Sequence, residues 1–133
     1  MAVAGLISVE SAFGPAETAE RLASAINAKG LRLFARVDHA AGAASVGLEL
    51  RPTVVFIFGN PKGGTPLMQA AQTAGIDLPL KALVWQDERG KTWLSYNSPA
   101  WLAERHAIGA EANTALGAIT AALEALAKAA TGA

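Results

Sequence analysis

Thr53 to Phe58, TVVFIF, is apolar at every position after the first, and the chain then runs straight into FGNPKGGTP, residues 58–66. Successive strand side chains point to opposite faces, so a run apolar at consecutive positions reads as a central strand covered on both sides. The glycine-rich stretch must turn the chain sharply. Thr65 and Pro66 offer an N-cap and a first helical residue, which predicts a helix over Thr65–Gln72 that Gly75 ends.

The rest of the chain falls into order around this strand. Val3–Glu10 reads as a first strand. Pro15 and Glu17 open a helix whose buried face is Ala19, Leu22, Ala23 and Ile26, and Lys29-Gly30 stop it. In Leu31–Asp38, Leu31, Leu33, Ala35 and Val37 alternate with Arg32, Phe34, Arg36 and Asp38, a strand with one apolar and one mixed face. Residues 39–47, HAAGAASVG, make a short helix or a tight connection. Leu80–Trp85 and Lys91–Tyr96 are strands joined by the polar turn QDERGK. Ser98-Pro99 begins a helix over 99–106. A last helix runs from about 111 to 129, with Leu116, Ile119, Leu123 and Leu126 spaced three, four, three. Such a short a/d seam must pack on the sheet or on a partner. The order β-α-β-(α)-β-α-β-β-α-α predicts one α+β domain over residues 1–133, with its core in 3–108. Its sheet is mainly antiparallel and covered by helices.

Composition narrows the function classes. Eleven Lys and Arg balance eleven Asp and Glu with no basic stripe, which argues against a nucleic-acid partner. Cysteine is absent, so disulfides, thiolate metal sites and cysteine nucleophiles are excluded. The first residues have no basic n-region, and no apolar run approaches the ~18 residues of a bilayer span. A soluble cytoplasmic protein without a membrane partner is the expectation.

Three places offer chemistry. A nucleotide P-loop needs G-x-x-x-x-G-K-[ST]. Gly59 and Gly64 have the glycine spacing, but Lys62 lies on the wrong side of Gly64, so ATP and GTP chemistry is set aside. A weaker reading keeps the backbone N–H groups of Gly63, Gly64 and Thr65 as an anion-binding concavity beside Lys62. Asp38-His39 ends a strand before the small residues Ala40, Ala41, Gly42 and Ala43, and histidine can act as base, metal ligand or haem ligand. His106 ends a helix and reads as structural. Two histidines without a cluster make no convincing metal site. Trp85 and Trp93 flank the hairpin and are expected to pin it to the helices.

Several stretches together carry a resemblance: Asp38-His39-Ala40-Ala41-Gly42-Ala43, Phe58-Gly59-Asn60-Pro61-Lys62 with Thr65-Pro66-Leu67-Met68, and Asp77-Leu78-Pro79-Leu80-Lys81. Over about residues 5–108 the chain resembles the domain of unknown function 302 family. The resemblance implies a compact α+β domain similar to the TATA-binding-protein-like class, a homodimer, and no established activity. Fold likeness to a DNA binder does not carry function. The favoured expectation is a homodimeric, non-enzymatic binding module for a small anionic or amphipathic ligand, its pocket formed by Asp38, His39, Asn60, Lys62, Gly63, Gly64 and Thr65. The alternatives are haem binding through His39, an acid/base enzyme using Asp38 and His39, and assembly through the C-terminal helix.

Overall fold

A computed structural model describes residues 2–133. Five strands form one fully antiparallel sheet: β1 (Leu6–Glu10), β2 (Arg32–Asp38), β3 (Thr53–Gly59), β4 (Leu80–Gln86) and β5 (Thr92–Asn97), in the spatial order β1-β5-β4-β3-β2. The first two strands thus lie at opposite edges. Helix α1 (Pro15–Ala28) carries the chain from one edge to the other. Helices α2 (His39–Ser45), α3 (Pro61–Ala70), α4 (Pro99–Arg105) and α5 (Asn113–Thr131) complete the domain. The expected α+β class with an antiparallel sheet, a helical cover and a C-terminal helix is what the chain adopts.

The cover lies on one face only. Register places Val54, Phe56 and Phe58 of β3, Ala82 and Val84 of β4, and Leu94 and Tyr96 of β5 on the same face. Phe56 and Phe58 are wholly buried there, against a core that includes Leu22 and Ile26 of α1 and Ile119, Leu123 and Leu126 of α5. The C-terminal seam is therefore consumed within one chain: it faces α1 and the sheet. Gly132, at φ 76°, ends α5 in the left-handed conformation that suits glycine.

Four expectations need correction. The strand TVVFIF is not covered twice. Alternate residues Val55 and Ile57 are only half-buried on the uncovered face, so the apolar run marks two faces of unequal fate. Helix α3 begins at Pro61, five residues before Pro66, because Asn60 takes the cap position and the two glycines are drawn into the helix. Strand β2 does not keep one apolar face. A bulge between Leu33 and Ala35 breaks its alternation, and Arg36 turns to the helical side, 2.7 Å from Glu20 and over the Phe56 ring. Trp85 and Trp93 do not reach the helices. They stack on each other on the uncovered face, ring centroids 6.4 Å apart. A smaller difference is at β1, which begins at Leu6 because Gly5, at φ 73°, turns the chain beneath Trp101.

The β4–β5 hairpin is organised by Asp87. Its Oδ2 accepts from Trp93 Nε1 at 2.9 Å, and its Oδ1 accepts from the backbone N–H groups of Arg89 and Lys91. The Trp93 indole donor, followed by those backbone donors and the Lys91 charge, outweighs partial desolvation and holds the carboxyl below its ordinary value of 3.8. A pKa depressed by folding gives stability that is complete above the unfolded value and lost as pH falls through the folded one. The Trp93 indole N–H resonance is thus expected to shift only below about pH 3.8, and Asp87→Asn is expected to abolish that titration. For the core, Phe56→Ala is expected to cost about 3–5 kcal/mol in urea denaturation with an unchanged m-value.

Candidate functional site

The helices leave one corner of the covered face open, and an apolar cleft of about 400 Å³ lies there. Leu31 and Phe34 supply one wall from the start of β2. The first turns of α3 supply another through Asn60, Gly63, Gly64, Thr65 and Met68. Leu78, Pro79 and Leu80 line the approach to β4, and Ala118, Ile119 and Ala122 of α5 close the far side.

The local sequence explains why the space is there. Asn60 Oδ1 accepts from Lys62 N–H at 2.9 Å, fixing the start of α3 at the end of β3. A Cβ on Gly64 would stand 3.6 Å from Leu78 Cδ1, and one on Gly63 would stand 4.0 Å from Ile119 Cγ1. These are ordinary contact distances, so longer side chains at either position would project into the cleft. The glycines keep its floor open. An anion-binding concavity at this turn would need free first-turn donors, and these are occupied. Lys62 N–H goes to the Asn60 side chain, and the N–H groups of Gly63 and Gly64 both donate to the Asn60 carbonyl at 2.9 and 3.1 Å. Pro61 has no donor to offer.

Of the residues singled out in the sequence, Asn60, Gly63, Gly64 and Thr65 meet at the cleft. Lys62 does not line it; its side chain is exposed on the next position of the helix. Asp38 and His39 are at the other end of β2, about 13 Å beyond Phe34 at ~3.3 Å per residue. Asp38 Oδ1 accepts from Ala41 N–H and caps α2, and His39 is the exposed first residue of that helix. The structure therefore does not gather Asp38, His39 and Lys62 into one hollow. Adjacent on the chain, Asp38 and His39 make a helix start.

One polar cluster had no signal in the sequence. Asp77 Oδ1 and Oδ2 accept from Arg105 at 2.9 and 2.8 Å, Asp77 Oδ2 also meets His106 Nε2, and His106 Nδ1 lies 2.9 Å from Thr73 Oγ1. His106 and Asp77 are nearly buried, 6% and 14% exposed at their side chains. A hydroxyl, an imidazole and a carboxylate in line have the order of a nucleophile relay. The space beside Asp77 and His106 is only about 10 Å³, Thr73 does not line it, and the Arg105 guanidinium already engages the carboxylate. The cluster is a clamp between α4 and the turn after α3. Asp77 and His106 are 29 residues apart in the chain, and no spacing rule links them.

Comparison with known proteins agrees with this architecture. A crystal structure of an uncharacterized conserved DUF302 protein from Bacillus stearothermophilus superposes with a TM-score of 0.84, covering 96% of this chain and 99% of that one at 22% identity. That likeness carries the fold alone. Two curated relatives, from Brucella suis and Brucella abortus, are each 51% identical over 115 residues, and both are named fluoride-specific ion channel FluC 1. The match takes in 86% of this chain but only 45% and 43% of theirs, so the chain spans less than half the length of these relatives. The family model described as domain of unknown function DUF302 matches residues 7–126, and the chain belongs to that family.

Proposed function

We propose that this domain is a binding module, acting as a homodimer in the cytoplasm, that takes the apolar part of a small amphipathic molecule into the cleft beside α3. The observation that carries the reading is the make-up of that cleft. Its walls are aliphatic, aromatic and thioether side chains, with the side chains of Asn60 and Thr65 as the polar points. A concave, mostly apolar space with a few polar groups at one end suits a ligand held by burial and oriented by one or two hydrogen bonds. The Asn60 amide nitrogen and the Thr65 hydroxyl are the groups to receive the polar end. Lys62, exposed one position away, is placed to meet an acidic headgroup that stays in water. No acid, histidine or lysine lines the cleft, which favours binding over acid/base chemistry there. His39 does not line the cleft, so this space lends no support to haem binding through that side chain.

Titration with a dansyl-labelled medium-chain fatty acid tests the reading. Binding on the order of micromolar is expected, weakened at least about tenfold by Gly64→Leu, which fills the cleft. Lys62→Ala is expected to weaken the acid but not the matching alcohol. Absence of binding by every acyl probe would remove the proposal.

A second reading comes from the Brucella relatives. No helix among the described residues of this chain is long and apolar enough to cross a membrane. We infer that the pore implied by their name belongs to the other half of those proteins, and that this module assists fluoride handling from outside the bilayer. Cells that lose this chain are then expected to become several-fold more sensitive to fluoride. Equal growth across a fluoride series, with and without the chain, would sink this reading.

A further inference from the structure

We propose that the uncovered face of the sheet is the surface through which two copies of this chain pair, sheet against sheet. This rests on the pairing put forward above and is independent of the cleft, which lies on the opposite, helical side.

Register places Val55 and Ile57 of β3, Leu83 and Trp85 of β4, and Trp93 of β5 side by side on this face. Val37 of β2 and Leu6 of β1 extend it to the edges, 41% and 36% exposed. Helices α1 and α5 pack into the core on the opposite face, and α2, which meets β3, buries no residue of its own, so among the described residues no helix seals this face. An apolar surface of this extent is as large as an isolated domain ordinarily leaves in water, a size at which such patches often mark interaction sites.

The polar atoms on this face decide what kind of partner fits. Ser8 Oγ and Ser95 Oγ share a hydrogen bond of 2.7 Å, Trp85 Nε1 donates to Ser95 Oγ at 2.9 Å, and Trp93 Nε1 donates to Asp87 at 2.9 Å. Each indole nitrogen is already satisfied within the sheet, and the serine pair is closed on itself. A partner need supply no hydrogen bond at the centre, and removing water from it leaves no polar group orphaned. Charged residues at this face, Glu10, Arg32, Lys81 and the Asp87 carboxylate that holds Trp93, stand at or near the ends of their strands. An acidic, basic or peptide-like partner would find nothing central to recognise. An identical apolar sheet would find a self-complementary dry surface, which is the condition for a two-fold interface.

The area is sufficient. Five strands at ~4.8 Å spacing and about six residues at ~3.3 Å each give a footprint near 500 Å². Two copies therefore bury about 1,000 Å², the lower limit of a specific interface and the size of a transient, reversible one. Aligned sheets at ~10 Å separation leave room for the stacked tryptophans to interdigitate with Leu83 and Ile57 of the other copy.

Sedimentation equilibrium of the full chain from about 1 to about 200 μM tests this. A reversible dimer is expected, with tryptophan emission moving to the blue as dimer forms. Leu83→Glu should leave a monomer. Val37→Lys, a change at an already exposed margin that the fold readily tolerates, should weaken pairing about tenfold. Far-UV circular dichroism and binding of the dansyl acyl probe should be unchanged in Val37→Lys. A wild type that stays monomeric throughout would overturn both the pairing and this surface. A wild-type dimer that neither substitution weakens would overturn the surface alone. Loss of probe binding with pairing intact would count against the cleft instead.

Discussion

The burial of one sheet face beneath α1 and α5 is the constraint on which the remaining features depend. Phe56 and Phe58 stand wholly buried in β3, with Leu22 and Ile26 of α1 and Leu123 and Leu126 of α5 in the same core. Each of these aromatic and aliphatic side chains stabilises by about 1.5–3 kcal/mol on leaving water. Two long helices placed to cover that face leave one corner between α3, α5 and the start of β2, and that corner is the cleft. They also leave the other face without a helical layer among the described residues. Cleft and bare face are complementary results of a single helical layer.

Polarity within the cleft follows from how α3 begins. Asn60 uses its side-chain oxygen and its carbonyl on the first-turn amides, so the end of the helix that borders the hollow has spent its donors on itself. What remains is apolar surface, the Asn60 amide nitrogen and a threonine hydroxyl. An inorganic anion gains little from such a place, whereas a molecule with a greasy body and a polar end gains from both parts. The Asp77, Arg105 and His106 clamp holds the turn after α3 to α4, and so fixes the far end of the element that borders the cleft.

Much of the fold was legible in the sequence. Proline and glycine punctuation located α1 and α4 closely. The three-four-three spacing of Leu116, Ile119, Leu123 and Leu126 gave the buried stripe of α5. Four residues of the turn, Asn60, Gly63, Gly64 and Thr65, were marked for a site and do line the cleft. The misreadings share one cause. Thr65-Pro66 is a good helix start by local rules, but Asn60-Pro61 is an equally good one five residues earlier, and packing of α3 against α5 decides between them. The alternation in β2 looked regular because a bulge changes which residues share a face without changing their names. The apolar run TVVFIF told that both faces of β3 avoid water, not that one chain covers both.

By itself, then, the sequence determined the elements, their order, the α+β class and the glycine turn, because these follow from short-range periodicity and capping chemistry. Only the tertiary structure decided that Asp38 and His39 lie far from Lys62, that Asp77 meets His106, and that Trp85 stacks on Trp93 on a bare face. Those facts depend on which strands become neighbours. The sheet order β1-β5-β4-β3-β2 is set by long-range burial of side chains, and no local pattern records it.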